Sequence, residues 1–187
     1  MDRWVNDLDL AVELVNTVYA LDDPPDRLTS TGVYRDILAG AGQSQLAGEL
    51  EDSDLGRLRG LRERLRAVFH AQTAQQAAAL VNALLREAAA VPQLTAGPDG
   101  NLRLAWGVGR HGYDALAARL PGALASQIAA HGISRLGICA ASPCTCVFVD
   151  RSRPGTRKYC CDQCNDRVSA AAYYQRKRSA STLGSRG

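Results

Sequence analysis

All six cysteines of this 187-residue chain lie between positions 139 and 164, and the residues before position 139 contain none. They form two groups, one of Cys139, Cys144 and Cys146, the other of Cys160, Cys161 and Cys164. The 15 residues between Cys144 and Cys160 are a separation typical of two cysteine pairs that converge on one zinc ion. Four thiolates complete the tetrahedral coordination of a structural Zn²⁺. The sequence therefore predicts one structural zinc, held by four of the six cysteines.

The residues around the cysteines predict the local fold of this segment. Residues 147–150 are an apolar, strand-like run, and Pro154-Gly155 in the next segment is a turn dipeptide, which together predict a hairpin between the two cysteine groups. Residues 166–178 are rich in good helix formers. The second cysteine group then lies at a helix start, where the helix dipole favours thiolates. A cysteine loop, a hairpin and a helix are the layout of a treble-clef-like finger.

The motifs of this segment also resemble a known family. In chain order they are Arg135-Leu136, Cys139-Ala140, Cys144, Phe148-Val149-Asp150, Ser152-Arg153, Gly155, Arg157, Tyr159-Cys160 and Cys164-Asn165-Asp166-Arg167. In this order and spacing they resemble the finger of bacterial CGNR-type zinc finger proteins. The family's Cys-Gly-Asn-Arg signature is altered here, because only its cysteine and its arginine are kept.

The resemblance implies which cysteines bind the metal and what the protein does. The implied ligands are Cys139, Cys144, Cys160 and Cys164. Cys146 stands where relatives often have an aromatic residue, and Cys161 where they often have serine. In this family the finger follows an N-terminal domain called ABATE, whose members are described as candidate stress-induced transcription regulators. The resemblance thus implies a bacterial transcription regulator, whose N-terminal domain we expect to sense a ligand or a stress.

The residues before the finger predict a mainly helical domain. Apolar residues recur at helical spacing over residues 7–19, 53–71, 74–90 and 113–130, with a shorter helix at 33–39. Residues 94–96 and 102–106 flank a Gly-Pro-Asp-Gly turn and predict a β-hairpin. We therefore expect an α+β chain with an ABATE-like helical domain at 1–133, a four-cysteine zinc finger at 134–178 and a disordered tail at 179–187.

Single residues add three finer expectations for the helical domain. Ser53 is in the position of an N-cap for the helix over 53–71. Pro121 is expected to break or kink the helix over 113–130. Because no flexible Ser/Gly linker precedes Cys139, we expect the finger to pack on that last helix.

Charge is divided unevenly along the chain. Residues 1–133 hold 12 arginines and 16 acidic residues, a net −4, whereas residues 134–187 hold 10 basic and 3 acidic residues, a net +7. Such asymmetry indicates a polyanionic partner, and cations of a finger bind DNA phosphates and guanine edges. The residues predicted to contact DNA are Arg151, Arg153, Arg157, Lys158, Arg167, Arg176, Lys177 and Arg178.

Two features of the helical domain have both an ordinary and a functional interpretation. The helix over 53–71 carries Arg57, Arg59, Arg62, Arg64 and Arg66 opposite its apolar stripe. A solvated helix face is the ordinary interpretation, and an anion-binding surface is the alternative. Asn16 lies among the apolar residues of the first helix; a hydrogen bond within the domain is the ordinary interpretation, and contact with a ligand is the alternative.

The sequence does not predict an enzyme. His70, His111 and His131 are dispersed, and no phosphate-binding loop, nucleophile elbow or HExxH motif is present. A zinc ion with four cysteine ligands also lacks the open coordination position that catalysis needs. The alternative to DNA binding is a zinc-thiolate redox sensor or a protein-interaction module. Cys146 and Cys161 are surplus to the zinc, and on oxidation a spare thiol can capture a zinc ligand, although buried packing is the simpler role.

The N-terminus lacks the apolar run of a signal peptide, and no stretch reaches the roughly 18 apolar residues of a membrane span. We therefore expect a cytoplasmic protein, associated with the nucleoid if it binds DNA, and no membrane partner. A reducing compartment also favours metal binding over disulfides for clustered cysteines. The sequence leaves open the oligomeric state and the identity of any small-molecule ligand.

Overall fold

The computed structural model describes residues 6–97 and 99–184, with the backbone alone for 178–184. Its α-helices are α1 (Asp7–Val15), α2 (Thr31–Gly40), α3 (Ser44–Glu49), α4 (Leu55–Phe69), α5 (Ala74–Glu87), α6 (Gly112–His131) and α7 (Asp162–Gly184). Two antiparallel hairpins join them, β1 (Gln93–Ala96) with β2 (Leu102–Ala105), and β3 (Leu136–Ile138) with β4 (Val147–Val149). The predicted α+β architecture, a mainly helical N-terminal part and a finger with a C-terminal helix, is confirmed.

Helix α1 is shorter than its apolar periodicity predicts. It begins where the Asn6 side chain accepts the Asp9 N–H at 3.0 Å, and it ends at Asn16 rather than continuing to residue 19. Beyond Asn16 the chain turns back on itself, because Val18 forms an antiparallel bridge with Asp26. Residues 17–27 therefore form a closed loop against the end of α1.

The start of α4 differs from the prediction at Ser53. This residue lies inside a 3₁₀ turn, Asp52–Asp54, which precedes the helix. Glu51 and Asp54 form a reciprocal capping box in that turn, with the Glu51 N–H donating to the Asp54 carboxylate at 3.1 Å. The predicted N-cap at Ser53 was wrong because the acidic residues on either side close the turn instead.

Helix α6 continues through Pro121, so of the two predicted effects, a break or a kink, the break was wrong. Proline costs this helix one backbone hydrogen bond, and burial of the surrounding residues, Leu120, Pro121 and Gly122, keeps it intact. Gly122 provides the space for Trp106, since a Cβ atom there would lie 2.2 Å from the indole ring. The helix ends at Gly132, whose φ of 75° suits glycine.

One hydrophobic core joins the helical domain and the finger. Its fully buried members include Leu10 and Leu14 of α1 and Leu65 of α4, and Val147 and Val149 of β4 belong to the same cluster. Strands β3 and β4 contact α4 and α1, two helices that the sequence did not link to the finger. The finger and the helical domain therefore share one hydrophobic core.

Helix α7 extends to Gly184, beyond position 178, which was the predicted end of the finger. Residues 185–187 of the predicted tail lie outside the described residues. Over the ranges 6–97 and 99–184, none of the helices combines the length and the apolar character that a bilayer crossing requires.

Candidate metal centre and basic surface

The sulfur atoms of Cys139, Cys144, Cys160 and Cys164 form a compact cluster. All four lie within 4.8 Å of one another, with Sγ–Sγ distances of 3.8 Å from Cys144 to Cys160 and 3.7 Å from Cys160 to Cys164. A tetrahedral zinc with Zn–S bonds of about 2.3 Å separates its sulfurs by about 3.8 Å. The donor set therefore fits one zinc ion, and the four clustered cysteines are the four that the family resemblance implies.

The first two ligands lie in a tight turn between β3 and β4. Cys139 directly follows β3, and its N–H donates to the carbonyl of Cys146 at 2.8 Å, which extends the ladder of the hairpin. The Cys144 N–H donates to the carbonyl of Ala141 at 2.7 Å and closes the turn. The strand pairing thus brings both sulfurs to one end of the hairpin.

The second two ligands flank the start of α7. Cys164 lies in the first turn of this helix and is 2 % exposed, while Cys160 precedes it and donates its N–H to the Cys139 sulfur at 3.4 Å. Hydrogen bonds from backbone N–H groups stabilise thiolates. The helix start therefore supplies Cys164 as a ligand, and the residue Cys160 before it supplies a second ligand and an N–H donor to the Cys139 sulfur.

The predicted hairpin between the two cysteine groups was assigned to the wrong segment. Strand β4 pairs with β3, which precedes the first ligand, and residues 150–159 form a loop. The carboxylate of Asp150 organises this loop, because it accepts the N–H groups of Ser152 and Arg157, each at 2.8 Å. A hydrogen bond from the Ser152 side chain, together with these backbone N–H groups, holds the pKa of Asp150 below its ordinary value. The Pro154-Gly155 dipeptide makes a turn, as predicted, but the turn lies in a loop rather than between strands.

The four sulfurs require a cation if they are to ionise together. Burial raises the pKa of Cys164 to about 12, and burial also raises the pKa of Cys160. Burial opposes ionisation of Cys139 too, but the backbone N–H groups of Cys160 and Ala141 outweigh it and lower the pKa of Cys139. Bound Zn²⁺ would supply the positive charge that keeps all four as thiolates.

The two spare cysteines occupy different environments. Cys146 is 8 % exposed and packs in the cysteine cluster, and burial raises its pKa to about 12. This is the environment of a packing residue. Cys161 is exposed, its sulfur lies 3.8 Å from that of Cys160, and the backbone N–H of Cys164 lowers its pKa. Of the two, only Cys161 is accessible to an oxidant.

Polar contacts attach the finger to α1 and α4. The Asn16 side-chain amide donates to the Val147 carbonyl at 2.9 Å and accepts the Val147 N–H at 2.8 Å. Arg66 donates to the carbonyls of Val15 at 2.6 Å and Thr145 at 3.4 Å. Tyr19 packs on the cysteine cluster. Asn16 is thus hydrogen-bonded within the protein, as its ordinary interpretation has it, and its partner belongs to the finger.

Three of the cations predicted to contact DNA are bound to the protein itself, and we call them the anchored cations. Arg151 forms an ion pair with Asp9 at 2.6 Å. Arg157 donates to the carbonyls of Tyr159, at 2.7 Å, and Cys160. Arg167 reaches the carbonyl of Ala141 at 3.3 Å and the sulfur of Cys164 at 3.7 Å. Their guanidinium groups hold the finger together and to α1.

Three others, which we call the open cations, are Arg153, Lys158 and Arg176. Each is exposed, and none makes an ion pair within the part of the chain that the structure describes. Lys177 is exposed as well, and the side chain of Arg178 lies outside the described residues. On α7, Tyr173 and Tyr174 are 56 % and 63 % exposed and meet edge to face at 5.6 Å.

The arginine face of α4 is a set of intramolecular contacts. Arg62 is 5 % exposed and holds Asp26 through two bonds of 2.6 and 2.9 Å, so both interpretations from the sequence were wrong for this residue. Arg57 pairs with Asp54 and Asp114. Arg59 donates to the Leu28 carbonyl, Arg64 pairs with Glu87, and Arg66 donates to two backbone carbonyls. All five arginines stabilise the fold.

Sequence reasoning missed Asp9, Tyr19 and Arg66 as residues that position the finger. Each is distant in sequence from the finger, and none belongs to a motif. Asp150 was the one such residue that the sequence marked, because it ends the apolar run next to the finger's basic loop. In the structure its carboxylate organises that loop.

Together the fold and the site define a helical protein with a four-cysteine zinc finger integrated into its core. Residues 8–136 match the model of the ABATE family, described as "Putative stress-induced transcription regulator", and residues 135–177 match the CGNR zinc finger. The chain therefore belongs to the ABATE family and carries a CGNR zinc finger, which confirms the resemblance seen in the sequence. No curated protein matches the chain.

Proposed function

We propose that this chain is a transcription regulator that binds DNA through the open cations and the exposed part of α7. One observation carries the proposal: of the described residues 169–177 on α7, all except Ala172 are exposed. Helices of globular proteins normally bury an apolar face. A helix that leaves its sides exposed while it carries tyrosines and cations has the chemistry of a surface for nucleic acid.

The distribution of charge supports the proposal that the finger, and not the helical domain, faces the DNA. The major groove of B-DNA admits an α-helix, and Arg, Lys and Tyr side chains bind phosphate oxygens. The segment from 134 to 187 carries +7 against −4 for the preceding residues; the −2 of a zinc with four thiolates leaves it clearly positive. DNA would therefore attract the finger and repel the helical domain, so that the finger approaches DNA first.

The zinc has a structural role in this proposal. Four thiolates leave no coordination position for water or substrate, so we propose that the protein is not a zinc enzyme. When bound, the ion ties the β3–β4 turn to the start of α7. The loop that carries Lys158 and the first turn of α7 are then fixed relative to each other.

The test is the salt dependence of binding to duplex DNA selected from genomic fragments by footprinting. Each phosphate contact contributes about −0.9 to the slope of log K against log salt. Single substitutions Arg153→Gln, Lys158→Gln and Arg176→Gln should each flatten this slope by about 0.9. Arg86→Gln is the matched control, because Arg86 is an exposed arginine of the helical domain. Absence of binding to any duplex at low salt, or equal slopes for all four variants, would contradict the proposal.

A second candidate function rests on the position of Cys161, whose exposed sulfur lies 3.8 Å from a zinc ligand. The Cys161 thiolate would attack one oxygen of hydrogen peroxide, which breaks the O–O bond, forms a sulfenic acid and releases hydroxide. The thiolate of Cys164 would then attack that sulfur, form a disulfide and release hydroxide, and the zinc would lose a ligand. A disulfide between adjacent Cys160 and Cys161 is strained, which favours Cys164 as the partner.

Zinc release under mild peroxide distinguishes this candidate from simple packing. Cys161→Ser should release zinc more slowly than the wild-type protein, whereas Cys146→Ser should match it, because Cys146 is buried. Equal rates in all three proteins would show that neither spare thiol acts in a redox switch.

A further inference from the structure

A polar cavity of about 410 Å³ lies where the end of α6 meets the finger. Helix α6 contributes Gln127 and His131 to its lining, and the finger contributes Arg135, Arg151 and Arg153. All five of these side chains carry N–H groups, and the arginines carry five each. We call this space the junction cavity, because it collects hydrogen-bond donors from the helical domain and from the finger.

The carboxylate that lines the junction cavity is engaged by the chain itself. Asp150 is 5 % exposed, and its two oxygens accept the N–H groups of Ser152 and Arg157, each at 2.8 Å. A metal cation would need carboxylate oxygens that are free to coordinate it. The lining therefore has the donors to bind an anion and lacks the oxygen ligands of a cation site.

The charges around the junction cavity leave it positive. Asp150 offsets one of its three arginines, and Asp9 offsets a second through the ion pair with Arg151 at 2.6 Å. The charge of Arg153 remains unbalanced, because this exposed residue makes no ion pair within the described ranges. His131 lies in the last turn of α6, where the helix dipole disfavours an anion. The arginines must therefore supply the attraction.

Two of the arginines are fixed in position before any ligand binds. Arg135 donates to the Ser152 carbonyl at 2.7 Å, and a Cβ atom on Gly155 would lie 2.6 Å from its guanidinium, so glycine leaves the space that Arg135 occupies. Arg151 is fixed by Asp9. Each of these contacts uses one nitrogen of the guanidinium, which leaves further N–H donors for a ligand. Donors that are already ordered lose little conformational entropy on binding.

We propose that the junction cavity binds a phosphate group. The planar fork of a guanidinium matches the oxygens of a phosphate, and the cavity has a volume in the range of small-molecule sites. Two sources supply this chemistry, a small phosphorylated molecule and the backbone of DNA. A small molecule in the cavity would contact α6 and the finger at once and would connect the helical domain to DNA binding. Only this connection rests on the proposed function, since the phosphate site exists without DNA.

Isothermal titration calorimetry of the full, zinc-loaded chain with inorganic phosphate, in the absence of DNA, tests the site. Sodium chloride replaces phosphate so that the ionic strength stays constant. We expect saturable binding of one phosphate, and weaker binding of acetate, because a carboxylate offers two oxygens to the same donors. Arg135→Gln should raise the dissociation constant for phosphate by about tenfold, since it removes a charged donor.

Arg153→Gln is the second variant, because Arg135→Gln also removes the contact with Ser152. The exposed Arg153 contributes less, and its loss should raise the dissociation constant by about threefold. Arg86→Gln makes the same change at an exposed arginine of α5 and should bind phosphate like the wild type. Zinc content and melting temperature show that each variant is folded. The proposal is overturned if the wild type shows no saturable binding, if acetate binds as tightly as phosphate, or if Arg86→Gln weakens binding as much as the two cavity variants.

A competition measurement distinguishes the two sources of phosphate. Fluorescence anisotropy follows a labelled duplex bound to the protein while inorganic phosphate replaces chloride at constant ionic strength. Displacement of the duplex from the wild type, reduced in Arg135→Gln, would assign the cavity to a phosphate of the DNA backbone. Simultaneous binding of duplex and phosphate would assign it to a small phosphorylated molecule. If no duplex binds, the proposed function fails, and the calorimetry still decides whether the phosphate site exists.

Discussion

Helix α4 and the finger are both rich in arginine, but the two regions use it differently. Every arginine of α4 reaches a carboxylate or a backbone carbonyl of the same chain, whereas the finger has Arg153, Lys158 and Arg176 exposed without an ion pair among the described residues. The difference follows from the supply of acids, since 16 acidic residues accompany 12 arginines before position 134 and only 3 accompany 10 cations after it. A row of cations therefore marks a binding surface only where the fold leaves it without partners.

The largest effect should come from removing a zinc ligand. Cys164→Ser deletes a buried thiolate of the cluster, and structural zinc contributes on the order of 10 kcal/mol to the folding of a small finger. We expect the variant to bind no zinc and to lose the ordered finger, as measured by elemental analysis and amide hydrogen exchange. The helical domain should also be weakened, because Val147 and Val149 complete its core.

Cys161→Ser is the control for that prediction, since it makes the same substitution three positions earlier at an exposed thiol. It should retain one zinc. Loss of zinc from Cys161→Ser together with its retention in Cys160→Ser would show that the ligand assignment is wrong, and a metal-replete wild type without zinc would contradict the site itself.

The next largest effect should come from the buried cation of α4. Arg62→Gln removes the closest ion-pair partner of Asp26 and leaves Thr17 with one hydrogen bond fewer. Loss of one member of a buried pair costs about 3–5 kcal/mol; because the Asp26 side chain is 37 % exposed, we expect about 2–3 kcal/mol in chemical denaturation. Arg64→Gln, which breaks the exposed pair with Glu87, should cost about 0.5 kcal/mol or less. Equal losses in both variants would erase the distinction between buried and surface pairs on this helix.

A smaller loss should come from the contact between α1 and the finger. Asn16→Ala leaves the N–H and the carbonyl of Val147 without their side-chain partner, which costs about 1–3 kcal/mol when the groups stay buried. Asn82→Ala, at an exposed asparagine of α5, serves as the control and should leave stability unchanged. If Asn16→Ala is as stable as the wild type, the finger is held by its apolar contacts alone.

The smallest effect should be the pH-dependent part of the stability that the Asp26–Arg62 pair contributes. The hydrogen bond from Arg62 holds the pKa of Asp26 below its ordinary value. A depressed carboxyl pKa stabilises the folded state above the unfolded pKa of about 3.9, and this stabilisation is lost as the pH falls through the folded value. Asp26→Asn should therefore be less stable than the wild type near neutrality, with the difference shrinking below about pH 4. A constant difference at all pH values would exclude this linkage.

The sequence predicted those features that depend on residues close together in the chain. The cysteine spacing led to the zinc cluster, and the turn residues between positions 96 and 102 led to the β1–β2 hairpin. The errors arose where distant residues decide the outcome. Strand β4 pairs with β3, before Cys139, because the turn that carries the first two zinc ligands folds the chain back. Arg62 is buried because the loop of residues 17–27 closes over it.

The basic surface shows the same limit. Composition indicated that the C-terminal part is cationic. In the structure, however, Asp9 of α1 neutralises Arg151, and backbone carbonyls next to the cysteine cluster bind Arg157 and Arg167. No local pattern in the sequence distinguishes these residues from Arg153 or Lys158. The division into anchored and open cations needs the three-dimensional structure, and it narrows the set of residues expected to bind DNA.

The most direct test of the account is the salt dependence of DNA binding by a variant that lacks all three open cations. Arg153→Gln, Lys158→Gln and Arg176→Gln combined should keep the zinc and the wild-type melting temperature, and should reduce the slope of log K against log salt by about 2.7. Arg64→Gln, from the arginine face of α4, should leave the slope unchanged, because its guanidinium is paired with Glu87. A triple variant that binds DNA with the wild-type slope, or an Arg64→Gln variant that flattens the slope, would contradict the assignment of DNA binding to the open cations of the finger.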